Sequence, residues 1–258
     1  MILVGDYHTH TLFSHGKGRI IDNAFAAKKA GLIELGIADH GFSHGAFGIK
    51  KKNLPAMREE CRIATEKTGV KVFLGVEANV LGTDGTVDLK SDLYDHFDLF
   101  LAGVHKFIFY KFGTMFSMAI PNQFYALFKA DKVPERLVKE NTRALINVIR
   151  NNPVDAITHL NFCAYADPVE VAKAAADYGT YIEINAKKTH LSDEQWLKVL
   201  DTEARFIIGS DAHHPARVGE ISLAKDMVTR TGFPLERIDN IDGRTPKFRF
   251  AAFKSGKR

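Results

Sequence analysis

Residues 6–16 read DYHTHTLFSHG and follow the apolar run Ile2-Leu3-Val4. Three histidines and an aspartate stand in eleven residues, just where a first strand would end. One strand end rich in imidazole decides little. Whether it marks a site depends on what the other strands deliver at the same edge.

Short β-rich apolar runs recur at 2–7, 34–38, 72–76, 99–104, 156–158, 180–184 and 206–209. Helix-like segments lie between them. Residues 22–31 open on Asp22 or Asn23 and close on Gly31, and residues 55–69 open on Pro55 and close on Gly69, the usual start and stop signals. Segments 134–151, 168–178, 192–203 and 220–231 also read as helices. Strands alternating with helices predict parallel βα units, and about seven of them predict an α/β barrel or a barrel-like closed sheet. No repeat, low-complexity run or linker appears, so residues 1–258 are expected to form one domain. One stretch breaks the rhythm: 107–130 is crowded with aromatics and interrupted by Lys111, Gly113 and Pro121-Asn122-Gln123. It is read as an insertion at about 107–133, either a helical pair packed on the barrel, a lid over the site, or a contact surface.

Active sites of α/β barrels form at the C-terminal ends of the strands. The candidate strands end in His8 and His10, Asp39-His40, Glu77, His105, His159, Glu183 with Asn185, and Asp211 with His213. Alone, each is more simply a hydrogen-bonded structural group. Together they bring many imidazoles to one rim, where burial is costly without partners. A metal centre accounts for the pattern. Imidazole with carboxylate and no cysteine suits Zn, Mn or Fe. The donors exceed what one four-coordinate ion uses, so two or three bridged ions are expected, an arrangement suited to hydrolysis at phosphorus or carbonyl centres.

His8-x-His10, ADHG at 38–41, GVEAN at 75–79, His105, ITH at 157–159 and GSDAH at 209–213 resemble the PHP (polymerase and histidinol phosphatase) family, over residues 6 to about 219. The resemblance is to its stand-alone bacterial phosphoesterases and implies a distorted, TIM-like (β/α)7 barrel with three divalent ions at the C-terminal strand ends. It implies His8, His10, Glu77 and Asp211 at one ion, Glu77 bridging to a second held by His105 and His159, and His15, His40 and His213 at a third. It also implies a metal-bridging hydroxide attacking a small phosphomonoester, as in a histidinol phosphatase. Glu77, Asp211, His213 and Arg217 would be catalytic.

Two stretches depart from that pattern. The 10–15 loop is a residue short, which leaves a substrate-binding role open for His15. EINAKKTH at 183–190 carries lysines where small polar residues are usual, so Lys187 becomes a phosphate-binding candidate; His190 reads as surface. Arg217 is a candidate phosphate clamp, with a surface salt bridge as its alternative, and Lys106 a further phosphate candidate. Asp6 and Asp39 either orient imidazoles or make plain strand-end hydrogen bonds. His44 and His214 are read as non-ligands, His96 as surface, and 82–88 as a turn-rich loop.

A net charge of +4 and a pI near 8.9 suit an anionic small substrate. They are too weak to argue for nucleic acid by themselves. A phosphodiesterase or 3′-5′ exonuclease, a non-catalytic metal-binding module and an amidohydrolase-like C–N hydrolase remain as alternatives. Cys61 and Cys163 lack CxxC spacing and predict reduced thiols in a cytoplasmic protein. No signal peptide or membrane span is expected. Lys247, Arg249, Lys254, Lys257 and Arg258 read as a solvated tail. Oligomeric state is not encoded in any motif.

Overall fold

The computed structural model describes residues 1–110, 112–128 and 133–256. Seven strands form one sheet in sequence order: β1 (Gly5–Thr9), β2 (Glu34–His40), β3 (Lys71–Asn79), β4 (Leu99–Gly103), β5 (Ala156–Ile157), β6 (Tyr181–Asn185) and β7 (Phe206–Gly209). Every neighbouring pair is parallel. β1 and β7 close toward each other through a parallel bridge at Thr9 and Ala212, with His10 N donating to Ala212 O at 2.8 Å. The result is the expected distorted (β/α)7 barrel, nearly closed.

Helices return the chain between strands. α1 (Ile20–Lys29) and α2 (Leu54–Thr68) cover the first crossovers. α2 starts at the Pro55 turn and stops where Gly69 takes the left-handed conformation, φ 76°, which glycine adopts without a Cβ penalty. A short turn α3 (Phe112–Thr114) runs through a π turn at Met115–Ala119 into α4 (Ile120–Phe128). Pro121 has no N–H to give the carbonyl a turn earlier, and the helix widens just before it. The aromatic stretch is thus one continuous helical run over 112–128 and not a pair of helices; Lys111 and 129–132 lie outside the described residues. α5 (Glu135–Asn151), α6 (Pro168–Tyr178), α7 (Asp193–Val199) and α8 (Ser222–Thr231) complete the outer layer. Among the described residues no helix is long and apolar enough to cross a membrane. Cys61 and Cys163 are buried and unbridged.

The core has two parts. The larger lies between strands and helices. The smaller fills the barrel floor with Tyr7, Ala38, Leu99, Leu101, Ala156, Tyr181 and Ile207. β1 contributes to the floor and to the site above it because it bulges. Asp6 pairs with Leu35 but Thr9 with Ile37, so β1 carries one extra residue. Bulges re-aim side chains: Tyr7 drops into the floor while His8 and His10 face the interior above.

The tail departs from its expected solvated state. Phe248 caps the floor, its ring 4.9 Å from Tyr7 and edge-on. α9 (Arg249–Lys254) buries Phe250 completely. Asp155 fixes it, accepting from Phe250 N at 2.7 Å and Phe100 N at 2.9 Å. Arg249 donates to Ile149 O and Lys254 to Phe97 O. The aromatic residues between the lysines carry the packing; the basic residues only looked like a free end. Lys257 and Arg258 lie outside the described residues.

Candidate metal centre

The strand ends converge on a cavity of about 370 Å³. Glu77, fully buried near the end of β3, does not line it but is the centre of the donor cluster at the strand ends. Its Oε1 lies 2.7 Å from His159 Nε2, 3.1 Å from His105 Nε2 and 3.3 Å from His8 Nε2. Its Oε2 lies 3.1 Å from His40 Nδ1 and 3.7 Å from His10 Nε2. Asp211, past β7, is the second carboxylate. Its Oδ1 is 3.3 Å from His10 Nε2 and 3.2 Å from both His213 Nδ1 and Lys187 Nζ.

Four groups of three donors have all their ligand atoms within 4.8 Å of one another: His8-His10-Asp211, His8-Glu77-His159, His40-Glu77-His105 and His10-His40-His213. Eight of the nine sequence candidates are thus brought together. His15 joins no such group among the described residues. It stands exposed at the rim, stacked on Phe47 at 4.3 Å, with its ring 4.9 Å from His213.

The donor set fits metal ions on its own chemistry. The close contacts of Glu77 with His40 and His105 lack hydrogen-bond geometry: among the described residues Glu77 Oε2, His105 Nε2, His40 Nδ1 and His10 Nδ1 are buried without a hydrogen-bond partner, a costly state for polar atoms unless something binds them. His8 Nε2 and His10 Nε2 face each other at 3.1 Å. Burial pushes the Glu77 carboxyl up, but His105, His8 and His159 hold it well below the usual carboxylate range. Asp211 is likewise held low against burial by His8 and His10. Burial, reinforced by neighbouring imidazoles, lowers His10, His40 and His105 and so favours neutral rings with a free lone pair. His8 and His159 are raised, because nearby carboxylates outweigh burial.

Residues outside the nine expected metal ligands orient the donors, Glu183 and Asn185 of the sixth strand end among them. Glu183 Oε1 accepts from His8 Nδ1 at 2.6 Å, leaving Nε2 toward Glu77. The Glu183 carboxylate also accepts from His159 N at 2.8 Å and Asn185 Nδ2 at 3.1 Å. A Cβ at Gly209 would come within 2.1 Å of Glu183 Oε1, so this strand position must lack one. Asn79 Oδ1 accepts from His105 Nδ1 at 2.8 Å, and buried Asp88 holds Asn79 Nδ2 at 2.6 Å. Such outer contacts fix tautomer and ring direction. Asp88 sits in the 82–88 turn, where no motif in the sequence marks it. Phe107, His159 and Asp211 line the cavity with φ of 58°, 31° and 48°, and backbone strain of this kind collects at functional sites.

Other candidates fall differently. Asp6 and Asp39 orient no imidazole. Asp6 accepts from Ser210 N, Ser210 Oγ and Gly219 N, and Asp39 from Thr11 and Ser14, so they tie loops to strand ends. Arg217 is exposed, does not line the cavity and lies by Glu220. Lys187 occupies the mouth instead, 3.1 Å from His213 Nδ1. Lys106 also lines it. His190 is not a free surface residue: it is half-buried, lines the cavity and is pushed down to about 4 by burial and His159. His44 lines the cavity too, stacked on His40 at 5.2 Å, and joins no donor group among the described residues. His214 caps the turn at Ala216 and His96 is exposed.

Comparison with known proteins agrees with this geometry. The PHP domain family model matches residues 6–187. A "Probable phosphatase" of Caldanaerobacter subterraneus is 31% identical over 250 residues, covering 92% of this chain and 87% of the relative. One from Photobacterium profundum is 29% identical over 248 residues, covering 90% and 87%. The crystal structure of a histidinol phosphate phosphatase from Lactococcus lactis, complexed with Zn, L-histidinol and phosphate, shares the fold at a TM-score of 0.59 and 16% identity, covering 91% of this chain and 95% of that one. With the family model spanning most of its length and a relative 31% identical over 92% of it, the chain belongs to the PHP domain family.

Proposed function

We propose that this protein hydrolyses a small phosphomonoester at a centre of three divalent ions, Zn, Mn or Fe. The observation that carries the reading is Glu77: a fully buried carboxylate ringed by the imidazoles of five strand-end histidines. His8, His10, Glu77 and Asp211 would hold one ion, and Glu77, His105 and His159 a second. His40 lies in two of the donor groups; it would hold the third ion, with His213 and with His15 moving in from the rim. Bound ions supply Lewis-acid charge for the phosphoryl oxygens and acidify the attacking water.

The chain's own residues do the rest. Glu183 and Asn79 aim His8 and His105. Asp211 and His213 keep Lys187 Nζ at the mouth, where its charge meets the incoming phosphoryl group in the part expected of Arg217. Phe47, Phe107 and Phe162 give the cavity an apolar wall that excludes water around that charge. The relatives' names and the Zn and phosphate of the Lactococcus structure support the reading. It takes 1–258 as one PHP domain with 107–133 inserted, in the cytoplasm, in keeping with two unbridged thiols.

The test is turnover of p-nitrophenyl phosphate beside bis-p-nitrophenyl phosphate with Mn or Zn supplied. Chelator-sensitive hydrolysis of the monoester is expected. Preference for the diester would replace the reading with a phosphodiesterase. No turnover of either by metal-loaded protein would overturn it.

A further inference from the structure

We infer that the cavity mouth selects a phosphomonoester whose leaving group carries a second anionic group. The inference rests on the phosphatase reading and narrows its substrate class. The metal cavity continues into a larger groove, and Lys106, Phe162, Lys188 and His190 line both. Two lysines therefore stand where the cavity opens into the groove.

Among the described residues, the carboxylates that line the cavity and the groove are engaged elsewhere. In the cavity wall the carboxylate is Asp211, already engaged by His10, His213 and Lys187. In the groove, Asp167 accepts from Val169 N and Glu170 N at the start of α6. Glu170 pairs with Lys173 at 2.7 Å, and Lys198 with Glu194 at 2.7 Å. Lys106 and Lys188 form no ion pair among the described residues. Backbone geometry separates the lysines by task. Asn185 Oδ1 accepts from Lys187 N at 3.0 Å and Lys188 N at 3.1 Å, a tight turn that sends Lys187 to Asp211 and Lys188 to the groove. Phe162, 5.1 Å from the His159 ring, lines both spaces.

This field discriminates by charge. A cationic leaving group, such as the amino alcohol L-histidinol held by the Lactococcus structure, meets two lysines without an ion-pair partner among the described residues, and the one groove carboxylate outside an ion pair there, Asp167, is turned to the first amides of α6. A leaving group bearing a carboxylate or second phosphate meets complementary charge.

Three phosphonates of matched length test this without turnover: 3-phosphonopropionate, propylphosphonate and 3-aminopropylphosphonate, titrated calorimetrically into Zn-loaded protein. The carboxylate is expected to bind about tenfold tighter than the amine, the size of one or two partly exposed charge pairs. The Lys106→Ala/Lys188→Ala double variant should bring the ratio near unity while its Zn content stays unchanged. Equal or tighter binding of the amine, or a ratio that persists in the double variant, overturns the inference and leaves the phosphatase reading standing. If none of the three binds, propylphosphonate included, the phosphate-binding reading fails and the inference falls with it.

Discussion

Replacing Glu183 by Gln tests whether the centre is aimed from outside its own ligands. Glu183 is buried on β6, and its two oxygens serve different donors: Oε1 takes His8 Nδ1 at 2.6 Å, and Oε2 takes His159 N at 2.8 Å. Gln has one acceptor oxygen. It can serve His8 or His159 but not both, and its amide then faces the other donor. The charge behind the His8 contact is also lost, and hydrogen bonds to charged groups contribute about 1.5–3 kcal/mol against about 0.5–1.5 for neutral ones. Binding of a cation at His8 Nε2 sharpens the demand of Nδ1–H for a charged acceptor. A loss of about 1.4–2.7 kcal/mol follows, or about 10- to 100-fold in metal affinity, the range found for such outer contacts. The assay is Zn titration of apo wild-type and E183Q protein in competition with a fluorescent chelator, with thermal unfolding confirming that both are folded. Affinity within about twofold of wild type in a folded variant would refute the reasoning.

Three further outcomes are expected. His159→Ala should lower metal content and abolish turnover while the far-ultraviolet dichroism stays unchanged; full activity would contradict its place beside Glu77. Phe250→Ala should cost about 3–5 kcal/mol in urea unfolding, the usual loss for a buried Phe, whereas a change under about 0.5 kcal/mol would mean the tail does not pack. Burial pushes the Asp155 carboxyl up to about 7, so the folded state holds its proton at pH values where the unfolded chain, near 3.8, has lost it. The stability due to this group is therefore full at low pH and declines as pH rises from about 4 through about 7. Comparing wild type with Asp155→Asn should show this slope in the wild type alone; parallel pH profiles would refute it.

The barrel was legible because parallel strands buried on both faces read as apolar runs, and because each run ends in a residue too polar to be packing. His8, His10, His40, Glu77, His105, His159, Asp211 and His213 announce themselves by position alone. Residues that act through another residue do not. Glu183 stands out as a strand end and Asn79 lies in GVEAN, but neither position tells which imidazole it holds, because that depends on register. Asp88 reaches Asn79 from a turn nine positions away. The β1 bulge leaves no mark in the pattern, since one extra residue in a short strand looks like ordinary alternation. Arg217 and Lys187 show the same limit from the other side: proximity in sequence to GSDAH favoured Arg217, while the turn at Asn185 brings Lys187 to the mouth.

The most direct test of the central claim is elemental analysis of the purified protein after metal loading, beside Glu77→Gln, with thermal unfolding of both. Glu77 is proposed to join two ions, so the account predicts more than one ion per wild-type chain, three when every position fills, and a clear loss in the folded variant. One ion or none in the wild type, or an unchanged count in Glu77→Gln, would contradict it.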